Sequence, residues 1–152
     1  MAVTAFMYPM LLTTTWNKEA DIDGGDVIKI ALSNTAYTYV ATHKYFDAAP
    51  FSSAWTELGT ANGYTAGGAT ITAAATTSAQ TTSWTGTIAN PTWTASGAGI
   101  SATSAVVYDS TPGAGVKPLI SYILFGGTVS APAGATITIT PNASGIISVV
   151  VA

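Results

Sequence analysis

Residues 101–127, SATSAVVYDSTPGAGVKPLISYILFGG, constrain the fold of this chain more than any other stretch. Two apolar, β-prone arms, Ser101–Tyr108 and Pro118–Phe125, flank the segment Asp109-Ser110-Thr111-Pro112-Gly113. Asp and Ser can bond their own backbone, Pro fixes φ, and Gly permits positive φ, so this segment is a turn. The stretch reads as the central hairpin of a β domain. Val106–Tyr108 and Leu119–Phe125 are expected in the core, with Asp109 and Lys117 marking a solvent-facing tip.

The rest of the chain repeats the pattern of short strand and turn. Asp21-Ile22-Asp23-Gly24-Gly25-Asp26 is an acidic turn feeding Val27–Leu32, where Ile28, Ile30 and Leu32 share one face and Lys29 takes the other. Gly59–Gly68, GTANGYTAGG, is the sharpest punctuation, its glycines and Asn62 favouring positive φ. Strands are expected at 69–77, 81–88, 92–94, 135–140 and 145–151. Tyr37, Tyr39, Tyr45, Phe46, Phe51 and Trp55 mark a long aromatic loop with one helical turn near Lys44–Ala48. Before them, Pro9 and Thr13-Thr14-Thr15 leave residues 5–15 open between a short helix and an irregular strand. About seven or eight short strands with little helix predict an all-β fold, an antiparallel β-sandwich of jelly-roll or Ig-like type. Residues 1–17 form an irregular N-terminal arm and 18–152 a single β domain.

Charge sets limits on function. Only 7% of the 152 residues are charged, against about 25% in ordinary soluble domains, and the net charge is −3. Four lysines and no arginine argue against a nucleic-acid binder, which needs clustered cations, and against an anionic membrane surface. No window approaches the ~18–20 continuous apolar residues of a spanning helix. The N-terminus has no cation ahead of its apolar run and makes a poor signal peptide. There is no Cys, so thiolate chemistry and Cys-based metal sites are excluded. After Glu57 only Asp109 and Lys117 are charged. A neutral Thr/Ser surface repels neighbours poorly, and uncharged β edges are usually covered, which favours assembly.

Catalytic and binding patterns are weak. Ser52, His43 and Asp47 supply the residue types of a nucleophilic triad, without a nucleophile-elbow motif around the serine. Asp21, Asp23 and Asp26 resemble a divalent-cation loop, but the spacing departs from an EF-hand and the closing acidic ligand is missing. The glycines of GYTAGG lack the Lys-Ser/Thr of a P-loop. Asn142-Ala143-Ser144 fits a glycosylation sequon, meaningful only in a eukaryotic secretory setting. No catalytic residue, metal or cofactor is expected, and the chain reads as a non-enzyme.

Several stretches, in order along nearly the whole chain, resemble small virion structural proteins of tailed bacteriophages, of the head-decoration, cement or head-fibre type. They are Asp21–Leu32, Thr35–Thr38, Thr42–Asp47, Gly63–Thr70, Trp93, Ala105–Asp109, Pro118–Gly126, Val129–Gly134 and Gly145–Ile147. GYTAGG with the VVYD…PLISYILFG pair is the most specific combination. Family members tend to carry more charge after the GYTAGG turn, where this chain has Thr, Ala and Ser. The resemblance implies a capsid decoration protein on the outer surface of the virion, made in the host cytoplasm. Its partners would be the major capsid protein and further copies of itself; a trimer would suit local three-fold positions. The expected interface is Val3, Phe6 and Tyr8 of the arm with Tyr37, Tyr39, Tyr45, Phe46, Phe51 and Trp55. The alternatives are a tail, collar or fibre component, or a host- or glycan-binding module using Trp55, Trp84 or Trp93.

Overall fold

The structure, a computed structural model, describes residues 3–21, 25–71, 76–78, 81–83, 90–141 and 147–151. Among them are ten strands: β1 (Thr4–Met7), β2 (Ile28–Ser33), β3 (Ala69–Ile71), β4 (Thr76–Ser78), β5 (Thr81–Ser83), β6 (Thr92–Thr94), β7 (Ile100–Asp109), β8 (Leu119–Ala131), β9 (Thr136–Pro141) and β10 (Ile147–Val151). Two short helices, α1 (Met10–Trp16) and α2 (Phe51–Ala54), complete the set. A five-stranded sheet runs β1-β8-β7-β2-β3 and a three-stranded sheet β10-β9-β6, with β4-β5 as a separate ribbon. Every pairing is antiparallel. The fold is an all-β sandwich, with more strands than the seven or eight expected; the two central ones, β7 and β8, are longer than their expected arms. Trp84, Asp23 and the Asn142–Ser144 sequon lie outside the described residues.

Alternation explains the core. In β2, Ile28, Ile30 and Leu32 point inward and pair with Asp109, Val107 and Ala105 of β7. Ile123 and Phe125 of β8 join them, and Ile137, Ile139 and Trp93 close the space from the second sheet. This aliphatic core lies between the two sheets. The opposite positions, Ala31, Val106, Tyr108 and Tyr122, build a second cluster on the outer face of the five-stranded sheet. The β7–β8 hairpin is thus central, as its sequence indicates, with register shifts between Ala102 and Ser104 and between Val107 and Tyr108. Such irregularities increase local twist and bend the long strands.

Three expectations change. The N-terminal stretch is both a strand and a helix. Thr4–Met7 pair with β8, and Pro9 caps α1, a place where its missing N–H costs nothing. The helical turn of the aromatic loop is at Phe51–Ala54, beyond Lys44–Ala48. No side chain caps it, so its position is set by burial of Phe51 and Trp55. Asp109 does not mark a solvent-facing tip: it is fully buried, the last inward position of β7. Lys117 is half-buried and paired with Asp47 at 3.3 Å.

Candidate interaction surface

The segment after β2 forms no strand, only a single antiparallel bridge between Tyr45 and Pro118, and folds back over the outer sheet face. Its ends are fixed by Leu58 N–H donating to Leu32 O (2.9 Å) and Ser33 Oγ donating to Thr56 O (2.5 Å). In the middle, Phe46 N–H donates to Lys117 O and Leu119 N–H to Lys44 O, tying the loop to the start of β8. The i,i+4 spacing across α2 brings Phe51 and Trp55 into a stacked pair with centroids 5.5 Å apart. Phe46 lies flat on Tyr108 at 3.8 Å, and Phe6 stacks on Tyr39 at 4.7 Å. Trp55 Nε1–H donates to Ser104 Oγ at 3.1 Å, so its one polar atom is satisfied in the buried layer.

The tyrosine hydroxyls tie this loop to itself and to its neighbours. Tyr39 donates to Met7 O (2.6 Å) and Tyr122 to Tyr37 O (3.2 Å). Tyr37 hydroxyl accepts from Val40 N–H (3.3 Å) and meets His43 Nδ1 (2.9 Å) and the Tyr8 hydroxyl (3.4 Å). Burial raises the pKa of Tyr8, Tyr39 and Tyr122, and pushes Tyr108 up to about 12, with Glu57 and Asp47 adding to it. Burial also lowers the pKa of His43. The cluster therefore holds neutral hydroxyls and a neutral imidazole at pH 7.

The triad residues do not meet. His43 bonds Tyr37, and the Asp47 carboxylate accepts from Gly115 N–H and Lys117 N–H besides the Lys117 ammonium. Ser52 is exposed on α2. Among the described residues, no group of three or more His, Asp or Glu side chains is placed to hold a metal, and no helix is long and apolar enough to cross a membrane.

The GYTAGG turn is anchored from both sides. Asn62 (φ 54°) and Gly63 (φ 89°) form the tip of a tight hairpin closed by Ala61 and Tyr64. Glu57 Oε1 accepts from Tyr64 hydroxyl and Gly67 N–H, both at 2.6 Å. Gly68 (φ 67°) passes so close to β2 that a Cβ there would lie 2.0 Å from Ile30 O.

The expected interface residues divide. Tyr8, Phe51 and Trp55 are buried in the aromatic layer and offer no surface to a partner; Phe6, Tyr37, Tyr39 and Phe46 are half-buried against it. Val3 packs on the aliphatic core instead. Tyr45 stands apart, donating to Glu19 Oε2 (2.9 Å) with the Lys44 ammonium 4.7 Å from its ring. Trp55 and Trp93 are equally buried, which removes them as a glycan platform. The most exposed large apolar side chains lie instead near the N-terminus, Met7 (67%), Leu12 (64%) and Trp16 (82%); Val27, Val40, Val116 and Leu124 are exposed to a lesser degree elsewhere. Leu12 and Trp16 share one face of α1 at i,i+4, beside β1, the outermost strand of its sheet. That spacing is visible in MLLTTTW once Pro9 is read as a helix start. No protein-family model, curated protein or solved structure matches this chain.

Proposed function

We propose that this chain is a non-enzymatic structural protein of a bacteriophage virion, a capsid decoration protein that binds and stabilises the lattice of the major capsid protein. The ordered resemblance of its strand and turn segments to such proteins motivates the reading. The observation that carries the contact surface is the exposure of Met7 on the uncharged edge strand β1 and of Leu12 and Trp16 on α1, the helix that follows it. Uncharged edges are normally covered, and Trp is enriched among residues that dominate binding energy. A protein that binds only the assembled shell stabilises it by mass action, without chemistry.

Deleting residues 1–12 is a poor test, because it also removes β1 and Tyr8 from the core. The double variant Leu12→Ser/Trp16→Ser is better, since both side chains are exposed. Co-sedimentation with undecorated capsid shells should show wild-type binding and a loss of at least ~10-fold in the variant, with an unchanged thermal midpoint. Undiminished binding by the variant removes the contact assignment. Absence of wild-type binding, with virion density for this chain on the tail or collar, replaces the capsid reading altogether.

A further inference from the structure

Asp109 is a carboxyl at an inward position of a hydrophobic sandwich. It follows Ala105 and Val107 on the core face of β7 and pairs in register with Ile28. Its Oδ1 accepts the Thr111 N–H at 2.9 Å. Its Oδ2 is buried and meets no donor among the described residues. A buried carboxylate oxygen without a donor is costly, and a proton on it removes both the charge and the unmet acceptor.

Asp26 lies against it from the segment leading into β2. The backbone sets this approach. Ser110 N–H and Oγ–H both donate to Val27 O, at 2.9 and 2.7 Å, and Val27 N–H donates to Thr111 Oγ1 at 2.5 Å. Asp26 Oδ2 accepts Asp21 N–H at 2.6 Å. With Thr111, Asp26 lines a cleft of about 420 Å³ also bordered by Lys18, Glu19 and Asp21. The nearby cations have other partners: Lys44 pairs with Glu19 at 3.0 Å, Tyr45 donates to the same carboxylate, and Lys117 pairs with Asp47. Lys29 lies on the opposite face of β2, across from Tyr108. Lys18 is exposed at the cleft rim.

We propose that Asp109 and Asp26 form a proton-sharing carboxyl pair that latches the segment before β2 to the turn between β7 and β8. Protonated Asp109 donates through Oδ2–H to an Asp26 carboxylate oxygen. When that proton leaves to solvent, two carboxylates face each other and the latch opens. Burial is the main reason the Asp109 carboxyl is pushed up to about 6; the Thr111 N–H and hydroxyl oppose the rise and Asp26 adds to it. The folded chain keeps this proton to about pH 6, while an unfolded one releases it near 3.8. The stability it contributes is therefore fully present below about pH 3.8 and lost as pH rises through about 6. Glu19 and Asp47, whose pKa values are lowered, have the opposite sign: their contribution is lost as pH falls.

NMR titration of the Asp109 carboxyl carbon in the intact chain reads the pair directly. A midpoint near pH 6 is expected, and one in the ordinary carboxylate range overturns the proposal. Amide-exchange protection at Ser110 and Thr111, corrected for intrinsic rates, should fall by roughly tenfold between pH 5 and 7.5. Asp109→Asn, whose amide donates at every pH, should abolish that change. If Asp109→Asn does not fold, Asp26→Asn provides a donor from the other side; wild-type pH dependence in either variant overturns the latch. Stabilisation by CaCl₂ at pH 7.5 that vanishes in these variants would replace the shared proton with a bridging cation.

Discussion

The two faces of the five-stranded sheet are covered in different ways. The inner face meets another sheet, and Ile, Leu and Val interdigitate there with backbones already satisfied by their own ladders. The outer face meets a loop. A loop has no ladder, so its covering must supply hydrogen bonds as well as apolar area. Tyrosine does both: Tyr39, Tyr122 and Tyr108 donate to the carbonyls of Met7, Tyr37 and Gly67 while their rings pack. The lesson is that an aromatic-rich loop need not be a binding surface. Here most of it is a second core, and the most exposed large apolar side chains, Met7, Leu12 and Trp16, lie outside it on β1 and α1.

Substitutions can break or sharpen this contrast. The largest effect is expected where the GYTAGG turn crosses β2. Gly68→Ala sets a Cβ 2.0 Å from Ile30 O at positive φ, and should cost about 4 kcal/mol by chemical denaturation. A loss under ~1 kcal/mol would mean that the turn can leave the sheet freely. Next, Phe51→Ala and Ile123→Ala each remove a fully buried side chain, at about 3–4 kcal/mol. If the faces are separate units, Phe51→Ala exposes residues 34–58 to protease below the melting temperature, whereas Ile123→Ala lowers the global midpoint alone. Identical proteolysis patterns would merge the two layers into one. The smallest effect is that of Tyr108→Phe, which keeps the ring on Phe46 and loses the bond to Gly67 O, at about 1 kcal/mol. A neutral result would show that rings alone hold the outer layer.

What was legible in the sequence follows the same division. β2, β7, β9 and β6 lie close to where alternation and turn residues put them, because a strand with one face in a core writes period two into its residues; β8 starts where expected but runs on past Phe125 to Ala131. The outer layer left no such trace. Phe51-Ser52-Ser53-Ala54 has neither a side-chain cap nor a periodic pattern of its own, and only Phe51 and Trp55 seated on β7 and β8 define its turn. Asp109 misled for a related reason. Beside Ser-Thr-Pro-Gly a charged residue reads as tip, and nothing local discloses that Asp109 pairs with Ile28 at the start of β2 and is buried there. The edge position of β1 was hidden too, since Thr-Ala-Phe-Met becomes a strand only by pairing with β8. The surface apolar residues of α1 were within reach but depended on treating Pro9 as a start rather than a break.

The pairing of β1 has a consequence for biosynthesis. Thr4 is matched to Leu124, so β1 must wait for a strand made 120 residues after it. Until β8 has left the ribosome, Phe6 and Tyr8 have no sheet to lie on, and β2 likewise waits for β7. Closing such long loops is entropically expensive and slow. The nascent chain thus emerges with its aromatic segments uncovered, and the N-terminal edge is completed only after synthesis of the central hairpin.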